Sequence, residues 1–236
     1  MKCAGETYGV TLEIEMKEWS GIWFPDGETH LIDWMEQTGQ QRDGMPCYQK
    51  HKYDAALEWV RPERRVAVDV GAHIGQWSYN MALDFAKVIA FEPVPAYADC
   101  WHRNVKKPNA QLIEIALGQE SAVVDLHHGT PGSHGDTWVA SSRKEANAAQ
   151  DVPMMRLDDY RLDEVDFIKI DCEGYEYFIL MGAIETIIRC KPCVIVEQKT
   201  GMARKFGLGD TDAVSLLQRL GASLRRGLQG DYILSW

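Results

Sequence analysis

From residue 66 onward the chain repeats one pattern: a short, nearly continuous apolar run, a turn, then a segment with apolar residues at helical spacing. The apolar runs fall at 66–70, 88–91, 112–115, 165–170, 194–196 and 232–234, and the helical segments at 75–85, 97–105, 175–188 and 212–220. A strand that is apolar along its whole length is buried on both faces. Strands of that kind alternating with helices form a mostly parallel sheet with helices on either side, an α/β doubly wound fold. Right-handed crossovers then put ligands at the carboxyl ends of the strands. A length of 236 residues suits one such domain with a small appendage.

The appendage precedes the repeat. Val10, Leu12, Ile14 and Met16 alternate with polar residues, the period of a half-buried strand. Trp23-Phe-Pro-Asp-Gly27 reads as a turn, 30–35 as a short helix, and 48–60 as a helix closed by Pro62. We therefore expect an N-terminal extension over 1–60, on the substrate side, and a ligand-binding domain over 61–236. The stretch 127–153 is rich in Gly, Ser, Ala and His and lacks periodicity, which predicts a lid or binding loop.

Chemistry should gather at the strand ends. Asp69-Val-Gly71-Ala72-His73-Ile-Gly75 fills the turn after the first strand, where two glycines allow a tight turn and the helix N-terminus offers free N–H groups. A dinucleotide site needs a glycine where His73 stands, to admit a pyrophosphate, so an adenosine ligand without one fits better than NAD. Glu92 ends the second strand 21 positions after Gly71, the spacing at which a carboxylate accepts from both ribose hydroxyls. Asp171 and Glu173 follow the fourth strand, and Glu197 ends the fifth. Three carboxylates there could orient a hydroxyl, act as a general base, or hold a divalent metal such as Mg²⁺; helix capping is the bland alternative, evenly weighed for Glu176. Lys169, inside an apolar strand, must pair with a carboxylate.

Taken together, Val68-Asp-Val-Gly-Ala-His-Ile-Gly75, Ala90-Phe-Glu-Pro93, Ile115-Ala-Leu-Gly118, Arg156-Leu-Asp-Asp159 and Phe167-Ile-Lys-Ile-Asp-Cys-Glu-Gly-Tyr-Glu176 resemble the FkbM family of S-adenosylmethionine-dependent methyltransferases. The resemblance covers about residues 60–200. It implies the class I methyltransferase (Rossmann-like) fold, with seven strands of which the last is antiparallel, and O-methylation of a hydroxyl on a carbohydrate or small metabolite. By position it implies that Asp69 belongs to the cofactor site, that Gly71, Ala72, His73 and Gly75 line the methionine end of the cofactor and that Glu92 holds the ribose. Pro93, Ala116 and Leu117 would flank the adenine, and Asp171 would face the sulfonium. The family's usual Asn is His73 here, which leaves that contact open. Pro25-Asp-Gly-Glu-Thr-His30 and Tyr48-Gln-Lys-His51 resemble a branch found in bacteriophage genomes.

Methyl transfer to oxygen also requires removal of the acceptor proton, for which Asp171, Glu173 and His30 are the candidates, with His51 a further histidine. Asp26, Glu28 and His30 would share one face of an extended segment. A net charge of −10 argues against affinity for a phosphate backbone. Base methylation is further disfavoured because Asp171-Cys-Glu-Gly lacks the prolines of its usual motif, leaving ribose 2′-O-methylation as the nearest nucleic-acid alternative. A non-catalytic cofactor-binding or virion-associated module is the non-enzymatic alternative. The six cysteines contain one close pair, Cys190-Lys-Pro-Cys193, with no second pair to complete a zinc site, and read as reduced thiols of a cytoplasmic protein. No apolar run nears the roughly 20 residues of a membrane helix. Oligomeric state stays open.

Overall fold

The computed structural model describes residues 15–127, 138–139 and 151–236. The N-terminal part runs β1 (Met16–Trp19), β2 (Ile22–Pro25), α1 (His30–Thr38), β3 (Gln41–Arg42), β4 (Met45–Pro46) and α2 (Lys50–Leu57). β5 (Val66–Val70), α3 (Gln76–Asp84), β6 (Lys87–Phe91), α4 (Pro95–Asn104) and β7 (Ala110–Ile113) follow as the first βαβαβ half. Next come β8 (Ala116–Leu117), β9 (Ala122–His127), β10 (Trp138–Val139) and β11 (Asp151–Met155), which form a small side sheet. The chain returns through β12 (Val165–Ile170), α5 (Glu176–Met181), α6 (Ile184–Cys190), β13 (Cys193–Glu197), α7 (Asp212–Arg219), β14 (Ser223–Leu228) and β15 (Asp231–Ser235).

Seven strands make the main sheet in the order β14-β15-β13-β12-β5-β6-β7. β12 is parallel to both β5 and β13, whereas β15 runs antiparallel between β13 and β14. The expected α/β class and the antiparallel last strand are both present. Strand order reverses between β5 and β12, so their carboxyl ends open a crevice where neither crossover covers the sheet.

Side chains alternate across this sheet with period two. Val68, Val70, Ile168, Ile170, Val194 and Val196 face one core with Ile179, Ile187 and Leu217 from α5, α6 and α7. Ala67, Phe167, Cys193 and Ile195 face the other, against Tyr53 of α2 and Trp77 and Met81 of α3. Continuing the second register toward the carboxyl ends brings Asp69, Lys169, Asp171 and Glu197 onto that same face. Helix α2 is thus part of the sheet's own covering layer. The Tyr53 hydroxyl donates to Asp84 at 2.7 Å, and Arg42 clamps the same carboxylate through two 2.8 Å hydrogen bonds.

Several expectations shift. The alternating strand predicted at 10–16 lies outside the described residues except for its end; what is seen is a hairpin, with Phe24 buried in β2 where a turn was read. The third sheet strand ends at Ile113, because Ile115 N–H turns back onto the Ile113 carbonyl and sends Ala116–Leu117 into the side sheet beside β11. The single helix predicted over 175–188 is two, α5 and α6. A Cβ on Gly182 would come within 2.0 Å of the Gly118 carbonyl, and the Asp158 carboxylate accepts from Glu185 and Thr186 N–H to start α6 afresh. Part of the predicted 127–153 loop is strand, in β10 and β11; 128–137 and 140–150 lie outside the described residues. β14 was not expected: its Arg225-Arg226-Gly227 centre carries no apolar run, as suits an exposed edge strand.

Candidate active site

A cavity of about 460 Å³ opens at the β5/β12 crevice, within the range of ligand pockets. Its first wall is the turn after β5. Gly71 adopts φ +75°, and a Cβ there would sit 2.1 Å from the Asp171 carbonyl, so only glycine lets the ends of β5 and β12 approach this closely. His73 also has positive φ, a left-handed position that His and Asn tolerate better than most residues. Its ring rests 4.1 Å from that of Tyr97, a residue the sequence motifs did not single out.

Glu92 is buried at the end of β6 and lines the cavity. It accepts the His73 N–H at 2.8 Å and the Val94 N–H at 2.9 Å, fastening the first turn to the second strand. Burial pushes its carboxyl up to about 7 against the pull of those two amides. Pro93 and Val94 on one side and Ile115, Ala116, Leu117 and Leu126 on the other give the cavity an apolar slot beside this carboxylate.

Two predicted residues are placed differently. Asp69 does not line the cavity; it lies fully buried beneath it, accepting from Ser78 Oγ at 2.6 Å and standing 3.4 Å from Lys169 Nζ. Gly75 does not line it either. A Cβ there would meet Val105 and Trp101 at 2.5 and 2.8 Å, so the glycine serves the packing of α3 on α4. Both were expected at the ligand because they flank the glycine turn. One points below the sheet end, and the other begins the helix.

The opposite wall holds the carboxylates. Asp171, Glu173 and Glu197 bring oxygens within 4.8 Å of one another. Two lysines stand among them. Lys169, paired as its apolar strand demanded, donates to the Gly71 carbonyl at 2.7 Å and lies 4.0 Å from Asp171. Lys199 Nζ is 2.9 Å from Glu197 and 3.4 Å from Glu173. Lys199 was missed, although it continues the period-two register of β13 by one step beyond Glu197. Burial lowers the affinity of Lys169 for its proton, but Asp69 and Asp171 outweigh this and raise it. Burial followed by the Asp171 charge pushes Glu197 up to about 10, whereas Lys169 and Lys199 overcome burial at Asp171 and hold it low. The two lysines therefore favour the charged form of Asp171, while burial and that charge favour the neutral form of Glu197. Glu176 belongs to the architecture: its Oε1 accepts from Cys172 and Gly174 N–H and shapes the turn after β12.

The N-terminal part contributes to the lining as well. His30, Trp34, Tyr48, Gln49 and Lys52 all line the cavity. His30 is exposed there, whereas Glu28 is buried and caps α1 by accepting the Leu31 N–H at 2.8 Å. Asp26 lies in the preceding turn, its N–H bonded to the Glu15 carbonyl, so the three do not form one face. His51 does not line the cavity; it stacks behind Trp34 and pairs with Gln40. No helix among the described residues is long and apolar enough to cross a membrane.

A seven-stranded sheet in which β15 alone runs antiparallel, with its ligand cavity at the reversal of strand order, is the class I Rossmann-like methyltransferase fold. The Methyltransferase FkbM domain family matches residues 69–224, which span the glycine turn, Glu92 and all three clustered carboxylates. The chain belongs to the FkbM family of S-adenosylmethionine-dependent methyltransferases. Methyltransferase sdnD of Sordaria araneosa is 25% identical over 185 residues, covering 62% of this chain and 70% of that one. Methyltransferase 1 of Beauveria bassiana is 27% identical over 148 residues, covering 51% and 59%. Among solved structures, the FkbM methyltransferase of Methylobacillus flagellatus shares 17% identity at a TM-score of 0.49, covering 78% of this chain and 50% of that one.

Proposed function

We propose that the chain transfers a methyl group from S-adenosylmethionine to a hydroxyl of a carbohydrate or small metabolite. The observation that carries this reading is the division of one cavity into two halves, Glu92 with its apolar slot on one side and the charged cluster around Asp171 on the other. The residues fit the cofactor: a buried carboxylate faces the cavity where ribose hydroxyls would donate, and apolar side chains flank the place of an adenine. When bound, S-adenosylmethionine supplies a methyl carbon made electrophilic by its sulfonium.

This chain's own residues then have three tasks. Glu92 and the 71–74 turn orient the donor, and rigid attachment of each to the other limits its freedom. The apolar slot excludes water from the donor half. Asp171, kept ionised by Lys169 and Lys199, receives the acceptor hydroxyl's proton on its carboxylate as the oxygen bonds to the methyl carbon. Glu197, holding its proton, leaves Asp171 as the acceptor of the pair. Lys169 and Lys199 offset the cluster's negative charge, so a divalent cation is not needed to assemble it.

The test is product formation followed by mass spectrometry with neutral polyols and small hydroxylated metabolites. Wild-type protein should yield an O-methyl product together with S-adenosylhomocysteine, and Asp171→Asn should lower kcat by about 10²–10⁴-fold with donor affinity retained. Methyl transfer to nitrogen or carbon, or an unimpaired Asp171→Asn enzyme, would overturn the reading.

A further inference from the structure

Trp34 and Tyr48 lie outside the stretch that matches the family, yet both border the cavity. Their rings meet edge to face, with centroids 4.8 Å apart and planes at 65°. Neither ring is loosely held. His51 stacks behind Trp34 at 6.2 Å with planes 19° apart, and is itself anchored to Gln40. The Tyr48 hydroxyl accepts from Gln49 Nε2 at 3.1 Å, Gln49 Oε1 accepts from the Trp77 indole at 3.3 Å, and the Tyr48 N–H donates to Gln76 Oε1 at 3.3 Å. α3 therefore holds Tyr48 in place. Lys52, one turn further along α2, is buried and paired with Asp231, the register partner of Glu197. That pair puts α2 on the β13/β15 side of the cavity, away from the Glu92 slot at the end of β6.

An aromatic surface fixed from behind, lining one cavity with a mixed row of carboxylates and ammonium groups, has a definite chemical preference. The rings present apolar planes to C–H groups. Asp171 and Glu173 accept hydrogen bonds, while Lys52 and Lys199 carry donors. A hydroxyl both donates and accepts, so a ring bearing neighbouring hydroxyls satisfies both kinds of group at once. A free carboxylate or phosphate, which carries only acceptors, has no proton to offer Asp171 and Glu173. A phenol would leave most of the polar row unpaired.

We propose that Trp34 and Tyr48 form the acceptor subsite and set its specificity for a neutral, polyhydroxylated saturated ring, whose apolar face packs on Trp34 while its hydroxyls meet the Asp171–Glu173–Lys199 row. The proposal rests on the methyl-transfer reading and adds the residues that select the acceptor. The subsite is assembled by the N-terminal extension, so specificity is carried by a part of the chain that the family domain does not include.

The test separates the two claims. Calorimetry with S-adenosylhomocysteine first establishes the donor half, and a panel of methyl pyranosides and simple phenols is then titrated into the saturated protein. Saturable binding of at least one pyranoside, and weaker binding of every phenol, is expected. In turnover with the best pyranoside, Trp34→Ala should raise KM about tenfold or more with a far smaller change in kcat, Trp34→Phe should recover most of the loss, and S-adenosylhomocysteine affinity should stay within about threefold. Tyr48→Phe, which keeps the ring, guards against a folding defect in the alanine variant and should preserve binding of the pyranoside. If S-adenosylhomocysteine binds but no pyranoside does, or if Trp34→Ala leaves KM unchanged, the subsite assignment fails while the methyl-donor reading stands. If S-adenosylhomocysteine itself does not bind, both fail.

Discussion

The two halves of the cavity are built by different means. On the Glu92 side, position is dictated by the backbone: a glycine on which any Cβ would collide with the neighbouring strand end, a left-handed His73, and a carboxylate tied to two amides. On the Trp34–Tyr48 side, position is dictated by side chains reaching between elements far apart in sequence, such as Gln49 to Trp77 and Lys52 to Asp231. A backbone-built half tolerates little substitution and has few ways to change. A side-chain-built half can exchange one ring or amide for another, so it is where members of one fold can differ in acceptor.

The largest effect should come from Gly71→Ala. Its methyl would be driven to 2.1 Å from the Asp171 carbonyl at a backbone angle alanine disfavours, so the ends of β5 and β12 must part. We expect a stability loss of about 3 kcal/mol or more in urea unfolding, together with loss of S-adenosylhomocysteine binding. A variant of wild-type stability would show that the donor half is not backbone-limited.

An intermediate, pH-dependent effect is expected of Glu176, which shapes the turn joining the two halves. Burial raises its carboxyl from 4.5 to about 7. Between those values the folded protein holds a proton that the unfolded chain has released, so stability falls as pH rises through this window and is level above it. Glu176→Gln removes that dependence. The stability difference between variant and wild type should move by about 3 kcal/mol in the variant's favour from pH 4.5 to 7. Parallel pH profiles would contradict the burial of a titrating group there.

The smallest effect should follow His51→Ala, which withdraws the support behind Trp34 from an exposed site. Stability should change by less than about 0.5 kcal/mol, and donor affinity not at all, while acceptor KM rises by a fewfold. A change in donor affinity would show that the halves are not separable.

This contrast also explains what could be read from the sequence. Gly71, Glu92, Asp171 and Glu173 were legible because short, strand-linked motifs encode them and strand order brings their ends together. Asp69 and Gly75 were assigned to the ligand from the same motif, but motif spacing does not distinguish a residue facing the cavity from one that packs beneath it. The break between α5 and α6 depends on Gly118, 64 positions before Gly182, and helical periodicity carries no trace of that contact. Trp34 and Gln49 could not be recognised for the same reason: their place is set by α3 and by Tyr48, not by their neighbours in the chain. Lys199 had a signal, in its register with Glu197, that the apolar run hid by ending at Val196.

The most direct measurement of the central claim is isothermal calorimetry of the full chain with S-adenosylhomocysteine, beside Glu92→Ala. Saturable one-site binding to wild type is expected, weakened at least about tenfold in the variant, because the proposed function gives Glu92 the ribose hydroxyls and the same carboxylate fastens the His73 turn. Absence of binding to folded wild-type protein, or equal affinity in the two, would contradict it.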